Sequence, residues 1–95
     1  MADISKVYKE IEQYGRKFSA KKIVLFGSRA RGTNTEKSDI DLAVFGCKDF
    51  IKLQDVIQEE LWSLLQIDMI NMEEDVSPEL AKEIERDGVV LYEEV

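Results

Sequence analysis

Ile23-Val24-Leu25-Phe26-Gly27-Ser28, then ten residues, then Asp39-Ile40-Asp41-Leu42-Ala43-Val44-Phe45, is the stretch that decides how this chain folds. The first run is continuously apolar and opens on β-branched residues, as a strand covered on both faces requires. The second alternates. Ile40, Leu42 and Val44 fall on one side, and Asp39, Asp41, Ala43 and Phe45 on the other. Side chains two apart on a strand point the same way, so the two carboxylates share one side of the sheet. Between the strands lies a polar segment, Gly27–Lys37, with a short helix expected over Ser28–Arg31.

Outward from this pair, helices and strands alternate. Ile4, Val7, Tyr8, Ile11, Tyr14 and Phe18 recur at helical spacing, and Gly15 weakens the last turn of that helix. After Phe45 a long helix is expected over Phe50–Leu65, with Leu53, Val56, Ile57, Leu61, Leu64 and Leu65 as its apolar stripe. Trp62 sits off the centre of that stripe, which suits packing or a partner contact. A third strand is expected over Ile67–Met72. Ser77-Pro78 signals a helix start, serine as N-cap and proline at the first helical position. Leu80, Ala81 and Ile84 give that helix its buried side, Gly88 its stop, and Val89–Tyr92 a fourth strand. The fold class is therefore α/β or α+β, with one small sheet packed against helices. Periodicity does not give the strand order.

Composition narrows the function. Ninety-five residues, 44% of them apolar, suit one compact domain over 1–95. No apolar stretch approaches the ~18 residues of a membrane span, and no secretion signal opens the chain. The single cysteine, Cys47, rules out an internal disulfide, fits a reducing cytoplasm and reads as an apolar filler at a strand end. With no histidine in the chain, Cys–His catalysis, histidine acid/base chemistry and histidine metal sites are excluded. Thirteen basic against twenty acidic side chains give a net charge of −7, which argues against gripping long nucleic acid. It suits a divalent-cation site, a protein partner or a cationic small molecule.

The Gly27-Ser28 turn brings backbone N–H groups and a hydroxyl to one spot, and the short helix after it adds its positive end. Arg29 and Arg31 can add charge-assisted hydrogen bonds to phosphate. Asp39 and Asp41 repel each other unless a cation lies between them. Transfer of a phosphoryl or nucleotidyl group by two metals needs further carboxylate. Asp68, inside the otherwise apolar Ile67-Asp68-Met69-Ile70, is the third candidate. Glu73, Glu74 and Asp75 read as loop charges. A nucleoside triphosphate with magnesium is the ligand this set implies.

Gly27-Ser28-Arg29-Ala30-Arg31-Gly32 followed by Ser38-Asp39-Ile40-Asp41-Leu42-Ala43-Val44 resembles the signature of the minimal nucleotidyltransferases of the DNA polymerase β-like superfamily. The resemblance implies a small mixed four-stranded sheet backed by helices. It implies two magnesium ions on Asp39 and Asp41, with Asp68 as third acid and base, and Gly27 and Ser28 holding the triphosphate of ATP. Small chains of this kind are similar to the antitoxin half of HEPN–MNT toxin–antitoxin pairs. That likeness implies transfer of AMP onto a tyrosine of a helical HEPN toxin, while the sequence leaves the choice between a monomer and a homo- or hetero-oligomer open. Two alternatives stand beside it. One is a non-catalytic nucleotide-binding antitoxin that neutralises its partner by binding. The other is modification of a small cationic molecule such as an aminoglycoside, with a dimer supplying the acceptor pocket.

Overall fold

A computed structural model describes residues 4–35, 37–60, 66–74 and 76–94. In chain order the elements are α1 (Ile4–Lys17), β1 (Lys22–Phe26), α2 (Ser28–Arg31), β2 (Ile40–Phe45), α3 (Phe50–Glu60), β3 (Ile67–Asn71), α4 (Pro78–Asp87) and β4 (Val89–Glu93). The four strands form one sheet in the order β3-β2-β1-β4. β1 runs antiparallel to both β2 and β4, and β2 runs parallel to β3. The sheet is therefore mixed and the architecture α+β, as the resemblance implied. The expected helix over Phe50–Leu65 is found over Phe50–Glu60; Leu61, Trp62, Leu64 and Leu65 lie outside the described residues. β3 ends at Asn71, and Met72 still donates its backbone N–H to the Val44 carbonyl at 2.8 Å.

Alternation along the strands separates two packing faces. Ile23, Leu25, Ile40, Leu42, Val44 and Ile67 meet Ile11 of α1 with Leu53 and Ile57 of α3. Ile11, Ile23, Ile40, Leu42, Leu53 and Ile57 have no exposed surface at all. Each such side chain contributes about 1.5–3 kcal/mol by leaving water. The opposite face carries a smaller cluster, Val24, Phe26 and Ala43 under Ile84 of α4, with Leu80, Phe45, Ile70 and Met72 partly buried around it.

Two glycines set how closely the helices approach. A Cβ on Gly15 would meet Ile23 Cδ1 at 2.8 Å and Tyr92 Cδ2 at 3.0 Å, so this residue lets α1 settle onto the sheet. Its cost to the last helical turn, expected from the sequence, is exchanged for that contact. Gly88 ends α4 as expected, yet its backbone is extended (φ −64°, ψ 143°) and not left-handed. A side chain there would strike the Ile84 carbonyl oxygen and Val24, so space selects glycine at this stop. At the other end of α4 the Ser77 hydroxyl accepts the Leu80 N–H at 3.2 Å, the N-cap that the sequence announces.

Candidate active site

The acids meet where β1 ends. Phe26, its last residue, is the Cα partner of Asp41, and Asp41 is the partner of Asp68 on the parallel strand β3. Partners on adjacent strands carry their side chains to the same face, about 5 Å apart. Asp41 and Asp68 therefore stand side by side on the face that α4 covers incompletely. Asp39, exposed just before β2, falls on the same side by alternation. Gln66 fixes one of these carboxylates by donating Nε2–H to Asp68 Oδ1 at 3.0 Å. Gln58 of α3 anchors the start of β3 through the Ile67 carbonyl at 2.6 Å.

The electrostatics follow from this placement. Burial, then the neighbouring charges of Asp68, Asp39 and Glu83, hold the Asp41 carboxyl above its ordinary value, and Arg31 works the other way. A group of carboxylates that oppose each other's ionisation favours a cation among them. Among the described residues, no three acidic, histidine or cysteine side chains are already drawn into a metal-holding cage. Magnesium asks for less than a cage. It takes hard oxygen donors, commonly one or two carboxylates, and completes its shell with water and substrate phosphates. The all-oxygen set of Asp39, Asp41 and Asp68 fits that demand.

Beside the acids lies the turn. Gly27 has φ 77° and ψ −155°, a region essentially reserved for glycine. A Cβ on it would also collide with Asp41 Oδ2, so the same residue makes the bend and leaves room for the carboxylate. The Gly27 carbonyl accepts the N–H groups of Ala30 and Arg31 at 3.2 and 3.1 Å, starting α2. Gly32 closes it in the left-handed conformation (φ 77°). Ser28, the first helical residue, thus sits directly after the bend that abuts Asp41.

The two arginines do different things. Arg29 donates Nε–H to the Ser38 carbonyl at 3.0 Å and reaches the Thr35 carbonyl at 3.5 Å. The Ser38 hydroxyl in turn accepts the Thr35 N–H at 2.9 Å. Arg29, expected on phosphate, thus holds the segment that delivers Asp39. Arg31 donates Nη1–H to Glu83 Oε1 at 2.6 Å, across to α4. Glu83 is the site-facing acid that the sequence reading missed. It stands beside Ile84 at the edge of a helical stripe, and only the packing of α4 onto β1 brings it here.

Other candidates lie apart. Glu73 and Glu74 are exposed in the turn after β3, and Asp75 is outside the described residues. Cys47 is buried against the first core cluster, its Sγ–H directed at the Phe18 carbonyl at 3.7 Å, and burial pushes the thiol pKa up. It is a packing residue, as expected. A hollow of about 440 Å³ lined by Lys21, Lys22, Phe45, Glu93 and Glu94 lies at the opposite ends of β1 and β2. It shares no residue with the acid cluster.

Residues 9–95 match the family Polymerase beta, Nucleotidyltransferase. MJ0128 of Methanocaldococcus jannaschii, named as a protein adenylyltransferase, is 34% identical over 90 residues, 90% of this chain and 88% of its own length. MJ1379 of the same organism, also named as a protein adenylyltransferase, is 35% identical over 78 residues, 75% of this chain and 76% of its own. Among solved structures, a chain of a toxin–antitoxin with AMP-PNP superposes with a TM-score of 0.70 over 92% of this chain and 73% of that one. At 23% identity that likeness shows the fold. Signature, family match and relatives agree: the chain belongs to the polymerase β-type nucleotidyltransferases.

Proposed function

We propose that this chain, acting as one minimal domain over 1–95, transfers AMP from ATP to a tyrosine hydroxyl of a partner protein, a helical toxin of the HEPN type, and so acts as its antitoxin. The reading rests on one observation above the others: Asp41 and Asp68 are in-register neighbours beside the Gly27–Ser28 bend. Relatives named for protein adenylylation favour a protein acceptor, and the fold shared with a toxin–antitoxin chain favours a toxin. The free cysteine Cys47 suits a cytoplasmic setting.

In this reading Ser28 and the backbone after Gly27 hold the triphosphate, and Asp39, Asp41 and Asp68 would hold two magnesium ions. Those ions supply neutralisation of the charge that develops on the phosphoryl oxygens. Asp68 accepts the proton of the acceptor hydroxyl at a carboxylate oxygen. The hydroxyl oxygen forms its bond to the α-phosphorus as the bond to the bridging oxygen of the β-phosphate breaks, and pyrophosphate leaves. Arg29 keeps Asp39 in place through the Ser38 carbonyl.

The test is to incubate the chain with ATP, magnesium chloride and the protein encoded beside it, then weigh both proteins intact. A gain of AMP on the neighbour, lost with Asp41→Asn, supports the reading. Protection of cells by Asp41→Asn without any labelling would replace it with neutralisation by binding. Labelling of an aminoglycoside in place of the protein would replace the acceptor class.

A further inference from the structure

We propose that Glu83 of α4 is a positioning residue for the nucleotide: it fixes Arg31 of α2 at the rim of the acid cluster, so that the guanidinium meets the triphosphate already oriented. This deepens the reading above and rests on it. The contact is short, 2.6 Å, and joins side chains 52 residues apart in sequence. Both are only partly exposed, at 38% and 33% of their side-chain surface. Both also lie within electrostatic reach of Asp41, with opposite effects on it.

The chemistry of the pair suits positioning. Guanidinium presents five N–H donors in a rigid fork, and the Glu83 contact engages it through Nη1. An arginine held by one end loses less freedom when phosphate oxygens take the other. Without Glu83, the carboxylates left around Arg31 include Asp41 itself, where the guanidinium would oppose the cations that the acids are arranged to hold. Asp87, four residues on, is instead engaged by Arg86 at 2.9 Å, so Glu83 is the α4 acid that bonds Arg31. A surface ion pair contributes little to stability by itself. Its placement beside the acids gives it a role that a simple tie between α2 and α4 would lack.

Isothermal titration of ATP with magnesium chloride tests this on the wild type, Glu83→Gln, Glu83→Asp, Arg31→Ala and the double variant Glu83→Gln/Arg31→Ala. Immobilising one arginine side chain is worth about three- to ten-fold in affinity. Glu83→Gln is therefore expected to weaken ATP by that factor, and Glu83→Asp to recover part of it. Arg31→Ala should weaken ATP at least as much, and the double variant no further. In the transfer assay the KM for ATP rises by the same factor while kcat moves far less. Wild-type affinity in Glu83→Gln, with or without a lower melting temperature, overturns the proposal in favour of a structural tie. Tighter binding overturns it in favour of simple repulsion, and losses that multiply in the double variant show independent residues. A wild type that does not bind ATP sinks the nucleotide site itself and this inference with it.

Discussion

The two faces of the sheet obey opposite rules. Against α1 and α3, fully buried aliphatic side chains interlock from three strands and two helices. Against α4, the sheet offers a short apolar cluster and then three carboxylates, one of them held away from its ordinary ionisation by burial and by its acidic neighbours. The difference teaches that a small domain can concentrate its stability on one side and keep electrostatic conflict on the other. The strands between transmit geometry to both, because successive residues serve alternate faces.

The sharpest break of that contrast is Asp41→Asn. Transfer should fall by at least about a hundred- to a thousand-fold, read by intact mass. Stability measured in EDTA should hold or rise. The sign follows from the raised folded-state pKa of Asp41: its favourable contribution is complete below the unfolded pKa and is lost as pH rises through the folded one. Near neutral pH the ionised group therefore costs stability in the metal-free chain. Any melting-temperature advantage of the variant should shrink as the pH drops below the carboxylate range.

Leu42→Ala attacks the other face. Leu42 is fully buried one residue from Asp41, and its loss should cost about 2–5 kcal/mol in denaturant unfolding. Where the variant stays folded, its affinity for ATP should change much less than its stability. Gly27→Ala strikes the junction of the two faces. Backbone strain of about 1–3 kcal/mol is expected together with a displaced Asp41 carboxylate, so transfer should fall further than unfolding alone explains. Smallest is Ser77→Ala, which removes the α4 cap and should cost about 1 kcal/mol with transfer retained.

Legibility in the sequence followed the range of the signal. Strand alternation, the Gly27–Ser28 bend, the Ser77–Pro78 helix start and the Asp39–Asp41 pair are local patterns, and each element was found where they placed it. The strand order, and with it the partnership of Asp41 with Asp68, depends on pairing between distant segments that no local period encodes. The Arg31–Glu83 contact escaped for the same reason. Gly15 and Gly88 were visible as residues, but their reasons lie in the Ile23, Tyr92 and Val24 side chains packed against them. The charge of Arg29 is legible, whereas the carbonyls of Thr35 and Ser38 that its guanidinium engages are not.

The parallel pairing of β2 with β3 also bears on when competence arises. Phe26 and Asp41 become neighbours through an antiparallel connection closed early in the chain, whereas Asp68 arrives only after the crossover through α3 has wrapped. Non-local parallel contacts of this sort form late, since loop closure must precede their reward. A nascent or partly assembled chain thus presents Asp39 and Asp41 before Asp68 stands beside them, and the acid cluster is completed only once β3 has docked.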